Sequence, residues 1–464
     1  MTLSYLSTRG ANTPRTFTDV LLAGLAPDGG LYVPSFFPAV DFSGLAGLSY
    51  ADIAYRVTSP FIGDQIEPAV YQAILKDVYG SFTHSAVAPL VQVGPNAWIL
   101  ELFHGPTIAF KDYALQLLGR LFDHVLGQRG RRVTIVGATS GDTGSAAIEA
   151  CRGCRHIDIF ILHPKGRTSD VQRRQMTTVL SPNVFNIALE GTFDDCQNMV
   201  KAMFADAPFR DKMNLSAVNS INWARIMAQT VYYVTASLAL GGMARPVTFA
   251  VPTGNFGNVY AAYAARRMGA NIKNLVIGSN RNDILTRFFE TGAMTAGAVE
   301  PSLSPSMDIQ ISSNFERYLF DLVGRDASEL SALMEQFKKT GSFKVSADRM
   351  AAARQEFSSH RCSDDQTLQT MAECYRETGY LIDPHTAVGL YAGGQQAWAD
   401  TSAPLVALAC AHPAKFPDAV KRATGIHPPL PPHLADLFDR PEQFTVLPND
   451  LRKVQDFVQS NVKR

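Results

Sequence analysis

The 464-residue chain has no excess of either charge: Lys and Arg total 42, Asp and Glu total 42, and the net charge is zero. Nucleic acid is bound through clustered cations, and no basic run occurs here, so no nucleic-acid partner is expected. Six cysteines are few for this length. Only Cys151 and Cys154 form a C-x-x-C pair, in EACRGCRH with His156 nearby. With no second pair, the spacing reads as two ordinary thiols at a helix end. No metal is expected, and the scarcity of cysteine fits a reducing compartment. No run of eighteen apolar residues occurs; VYYVTASLALGGM is too short to span a bilayer, so no membrane partner is expected. The N-terminus MTLSYLSTRGANTPRTF lacks the basic and apolar regions of a secretory signal, and the expected location is the cytoplasm. The dinucleotide fingerprint G-x-G-x-x-G and the P-loop G-K-[ST] are both missing, which argues against a nucleotide-dependent oxidoreductase.

What is present is ample core material, 46% hydrophobic and 18% charged residues. At about 150 residues per domain the length suggests roughly three units. Turn signals (APDGGLYVPSFFP, FIGDQIEP) mixed with helical patterns (DIAYRVTSPFI, EPAVYQAILKDVY) mark an appended N-terminal unit over 1–92. From AWILEL onward, short β-rich runs alternate with helical patterns. The strands are RRVTIVG, IDIFIL, VFNIAL, RPVTFAVP, NLVIGS and PLVALAC; the helices include TIAFKDYALQLLGRLFDHVLG, TGSAAIEACR and INWARIMAQTVYYVTASLAL. This rhythm predicts an α/β fold with mostly parallel sheet. Residues 290–380 read as helix-rich, with no assignable topology.

In open α/β sheets ligands bind beyond the carboxyl ends of the strands. Two loops there are unusual. GATSGDTGSAA, Gly137–Ala147, carries Thr139, Ser140, Gly141, Asp142 and Thr143 between a strand and a helix. Glycine allows close backbone approach, and a helix N-terminus suits a carboxylate. The bland reading is a plain turn capped by Thr143. VPTGNFGNVYAA places Gly254, Asn255, Phe256, Gly257 and Asn258 at another helix start, where backbone N–H groups make a phosphate cradle. The third feature is Lys111, which follows Ile108-Ala109-Phe110 and opens an apolar helix. Burial disfavours the charged ammonium, and a neutral lysine forms Schiff bases. Alone, this lysine reads as a snorkelling surface residue. With a phosphate cradle and a carboxylate loop, it makes the minimal set for pyridoxal phosphate acting on an amino acid.

The motifs together resemble the threonine synthases, pyridoxal-phosphate enzymes of the tryptophan-synthase β-like fold (fold type II). The resemblance runs through YLSTRG, PDGGLYVP, LELFHGPTIAFKD, GATSGDTGSAA, HPKGRTSDVQRRQMTT, AVNSINWARIMAQ, PTGNFGN, NRNDIL, DPHTAVG and AHPAKFPDAV, nearly end to end. It implies two open, mostly parallel sheets flanked by helices. A large domain would span 93–137 and 245–464, and a smaller one 138–244. It implies that Lys111 carries the Schiff base to pyridoxal 5′-phosphate and that Gly254, Asn255, Phe256, Gly257 and Asn258 hold its phosphate. Thr139, Ser140, Gly141 and Thr143 would bind the substrate carboxylate, with Asp142 near the cofactor's ring oxygen. The residue facing the pyridine nitrogen is usually a hydroxyl in this family; here it is Cys410, a weak donor, which leaves the nitrogen largely unprotonated.

The implied substrate is O-phospho-L-homoserine, converted with water to L-threonine and phosphate by γ-elimination and β-addition. Lys165, Arg167 and Arg281 follow strands and are candidate partners for the leaving phosphate, or else solvated surface charges. Asn219, Asn222 and His385 are further polar candidates, His385 reading as structural, and His104 as a shaper of the turn before Lys111. The nearest alternative is a phospho-lyase releasing 2-oxobutyrate; a binding protein that kept the fold is opposed by the intact Lys111 and loops. The expected assembly is a monomer or homodimer.

Overall fold

β-Branched and aromatic runs alternate with helices along most of the chain, and the central strands are buried on both faces, as parallel strands covered by helices are. Val247–Pro252 and Leu405–Ala409 are buried at every position. The computed structural model describes residues 3–11, 13–217, 220–397 and 401–463. The chain divides into two units, one of Met1–Tyr79, His84–His104 and Ser220–Pro428, the other of Gly80–Thr83, Gly105–Asn219 and Pro429–Arg464.

The first unit is built on a six-stranded sheet in the order Phe357–Arg361, Ile272–Ser279, Val247–Pro252, Leu405–Ala409, Ala97–Glu101, Leu90–Gly94. All neighbours are parallel except the last pair. Ala407 sits between Ile99 and Ala250, which sets the register at the sheet's centre. The edge strand Phe357–Arg361 lies in the stretch whose topology the sequence pattern left open. Its FSSHR residues alternate weakly, because only Phe357 is fully buried. The N-terminal residues join this unit. Tyr5–Ser7 pairs antiparallel with Tyr32–Pro34, Tyr5 Oη donates to the Phe61 carbonyl at 2.7 Å, and the Phe61 ring packs on Trp223.

The second unit is a five-stranded parallel sheet in the order Thr445–Pro448, Val184–Glu190, Ile157–Pro164, Val133–Ala138, Leu215–Ser216. Its outermost strand corrects the expectation that residues through 464 belong to the large domain. Leu447 pairs with Leu189, and the Leu451–Asn461 helix buries Val454 and Val458 in a core with Val136, Phe160, Leu162 and Ile187. Burying this apolar stripe is what draws the chain's end to a sheet far from it in sequence. The expected helix over 107–127 begins only at Lys111 and runs Lys111–Gln128. Cys151 and Cys154 are buried free thiols, and burial pushes that of Cys154 up to about 12.

Candidate active site

In the second unit, the segment before Lys111 folds back on the helix it opens. The Asp112 carboxylate accepts from the Thr107 amide at 2.8 Å and the Thr107 hydroxyl at 2.6 Å. A Cβ at Gly105 would lie 2.4 Å from that of Asp112, so only glycine allows the return. Ile108 takes a φ of +54°, unfavourable for a β-branched residue and held by this turn. The result is a Lys111 only 9% exposed, its Nζ 3.3 Å from Asp142 Oδ2 and 5.4 Å from the Phe110 ring centroid.

Asp142 is the first residue of the Asp142–Cys151 helix, where a carboxylate suits the positive end. Its second oxygen accepts from Gln172 Nε2 at 2.8 Å. Gln172 lies directly over Gly141, whose φ of +149° favours glycine and whose hypothetical Cβ, 2.4 Å from Gln172 Cδ, would push that side chain aside. Thr139 Oγ1 accepts from the Gly141 and Gly144 amides at 2.9 Å each, so this hydroxyl shapes the loop. Ser140 is exposed and Thr143 half-buried. Lys165 pairs with Glu190 at 3.0 Å, both about half exposed; Arg167 is exposed.

In the first unit, the loop after Val247–Pro252 leads into the Gly257–Arg267 helix, which starts with no side-chain cap and no acidic residue in its first turn. Phe256 takes a left-handed φ of +60° just before it. The loop's carbonyls are tied from behind: Ser312 Oγ donates to the Gly254 carbonyl at 2.6 Å, and the Asn314 amide and Nδ2 donate to that of Asn255 at 3.0 and 3.1 Å. Asn258 Oδ1 accepts from both Tyr232 and Tyr233, and its Nδ2 lies 3.9 Å from Cys410 Sγ. Arg281 is paired with Asp364 at 2.6 Å. His385 Nδ1 donates to Asp383 at 2.7 Å while Nε2 accepts from the Ser306 amide, so both ring nitrogens are used. His104 bonds Glu101 at 2.6 Å, and Tyr380 also donates to Glu101; burial pushes that carboxyl up, but these partners hold it below the usual range. Asn222 caps the Trp223–Ala239 helix through the Ala224 amide. Asn219 lies outside the described residues.

The chain matches three family models: "Threonine synthase N terminus" over residues 4–79, "Pyridoxal-phosphate dependent enzyme" over 85–336, and "Threonine synthase, C-terminal" over 386–458. It is 56% identical to the threonine synthase of Pseudomonas aeruginosa, covering 100% of this chain and 99% of that one. The chain belongs to the threonine synthase family. Among solved structures of that family, the pyridoxal-phosphate-bound threonine synthase of Brucella melitensis superposes with a TM-score of 0.98 at 52% identity, covering all of both chains. The yeast threonine synthase superposes at 0.94 and 39%, covering 99% of this chain and 98% of that one.

Three residues of this threonine synthase family member escaped the sequence reading. Gln172 and Asp112 hold Asp142 and the Lys111 turn, as described. The third is Arg225, in the first turn of the Trp223–Ala239 helix and 5% exposed. Its Nε and Nη1 have no hydrogen-bond partner among the described residues, and burial pushes the guanidinium down to about 10. A cation at the positive end of an apolar helix is doubly unfavourable, and that was the signal available in NWARIM.

Proposed function

We propose that the chain converts O-phospho-L-homoserine and water to L-threonine and inorganic phosphate, using pyridoxal 5′-phosphate. The observation that carries the reading is the buried Lys111 amine, 3.3 Å from Asp142 beside a glycine-rich helix start. The residues present fit the cofactor: a buried amine for its aldehyde, an uncapped helix start free of acidic residues for its phosphate, and a thiol for its pyridine. When bound, pyridoxal phosphate supplies an electron sink for the negative charge that develops on the substrate's carbons.

Lys111 Nζ is assigned the covalent attachment and the proton transfers at Cα and then Cβ. Asp142 holds the protonated amine between those transfers, and Gln172 fixes Asp142. The Ser140, Gly141 and Thr143 end of the helix is assigned to the substrate carboxylate, with Thr139 shaping that loop. Gly254, Asn255, Phe256, Gly257 and Asn258 are assigned to the cofactor phosphate and Cys410 to the pyridine nitrogen. For the leaving phosphate, a buried guanidinium with unused N–H groups offers more than a cation already facing carboxylate or one exposed to solvent, so Arg225 ranks ahead of Lys165, Arg281 and Arg167. A cytoplasmic monomer or homodimer completes the proposal.

The test is a product assay on cofactor-loaded protein given O-phospho-L-homoserine, with phosphate, threonine and 2-oxobutyrate all measured. Phosphate matched by threonine is expected. Phosphate matched by 2-oxobutyrate makes the protein a phospho-lyase, and no phosphate overturns the substrate.

A further inference from the structure

Four consecutive residues at one helix start reach three separate parts of the first unit. Asn314, fully buried, donates through Nδ2 to the Asn255 carbonyl and to the Ser220 carbonyl, each at 3.1 Å. Phe315 packs edge-on against Phe256 at 5.1 Å between centroids. Glu316 accepts from Thr8 Oγ1 at 2.6 Å and from both Arg9 Nε and Nη2. Arg317, also fully buried, donates to the Tyr32 carbonyl at 2.9 Å, to Asn314 Oδ1 and to the Ile221 carbonyl. Its guanidinium also stands over Trp223, 5.8 Å from the ring.

None of these side chains is needed to make the Gly254–Asn258 loop a helix start. A loop with two glycines has many conformations, and its N–H groups converge on an anion only if its carbonyls are held the other way. Asn314 holds the central carbonyl, and Arg317 holds Asn314, orienting its amide so that Nδ2 faces the loop. The same guanidinium grips the Ile221 carbonyl, four residues before Arg225. Planar, five-donor geometry makes one arginine able to do this where a lysine cannot.

We propose that Asn314 and Arg317 are positioning residues that preorganise the Gly254–Asn258 loop for the cofactor phosphate and tie it, through Arg317, to the N-terminal residue Tyr32. The proposal rests on the reading of that loop as the cofactor's phosphate cradle. The test melts the full-length holoenzyme over a series of pyridoxal 5′-phosphate concentrations, which gives the cofactor dissociation constant by mass action. Three variants are compared: Asn314→Ala, Arg317→Lys, and Asn255→Asp, an isosteric change that adds a charge to the loop itself. Asn314→Ala and Arg317→Lys are expected to raise the dissociation constant about tenfold, the effect of one lost buried hydrogen bond. A merely structural role lowers the melting temperature equally at all cofactor concentrations and leaves the constant unchanged. That result, beside a raised constant in Asn255→Asp, overturns the brace. An unchanged constant in all three overturns the cradle, and the brace with it.

Discussion

Two loops of this protein share one local plan, a buried parallel strand, a glycine-rich turn and a helix start, yet they differ in charge. The Gly137–Thr143 loop carries Asp142 at its helix start and meets Lys111 there, so the helix's positive end is already answered. The Gly254–Gly257 loop has no acid in its first turn and no capping side chain; serine and asparagine side chains hold its carbonyls from behind. In the proposed function the first is where protons are held and moved, and the second takes the cofactor's fixed anion. Glycine spacing permits an anion site but does not make one; the side chains around the loop decide whether it forms and what it holds.

The contrast breaks most completely at Lys111. Lys111→Ala leaves the second loop intact, so the variant should still bind cofactor, but turnover should fall by about 10⁴-fold or more. Threonine formation at a parental rate would remove Lys111 from the chemistry. Next in size, Arg225→Met should raise KM for O-phospho-L-homoserine by about 10–100-fold, the worth of charge-assisted hydrogen bonds, with cofactor affinity unchanged. An unchanged KM would return the leaving phosphate to Lys165, Arg167 or Arg281. Asp142→Asn makes the first loop resemble the second. It removes the carboxylate that faces Lys111 and should lower kcat about tenfold, while shifting the acid limb of the pH–rate profile, because Lys111 loses its counter-charge. Identical profiles would show that Asp142 only fills space.

How much of this was legible depends on where each residue's partner lies in the chain. Lys111 was legible because it follows Ile108, Ala109 and Phe110, the last of which also lies against its amine, and charge beside local apolar residues is visible in one dimension. The two loops were legible as strand–glycine–helix junctions. Gln172 was not: it sits in the polar SDVQRRQ segment, reads as a surface helix residue, and becomes buried only because Gly141 leaves room for it. Arg225 was hidden by its own helix, whose apolar pattern reads as core packing. The closing strand Thr445–Pro448 has its partner more than 250 residues earlier, at Val184–Glu190, and no periodicity records such a pairing. Long-range pairing and burial of single polar groups are properties of the folded chain, so they were found only there.

The smallest expected effect separates the two loops by their response to acid. His163 is the penultimate residue of the Ile157–Pro164 strand, next to the one that feeds the first loop, and is 2% exposed, with Nδ1 lacking a partner among the described residues. Burial, with the charge of Arg173 adding, pushes its pKa down to about 4. The unfolded chain binds a proton at this residue near pH 6.5 and the folded one does not until about 4, so between those values the unfolded state holds more protons. Stability contributed by keeping His163 neutral is therefore complete above about pH 6.5 and is lost as pH falls toward 4. Asn258 of the second loop meets instead the phenols of Tyr232 and Tyr233 and the thiol of Cys410. His163→Gln should leave activity at neutral pH unchanged and reduce the drop in Tm between pH 7 and 5 by about 2 °C. An equal drop in parent and variant would place the acid sensitivity of this unit in its carboxylates instead.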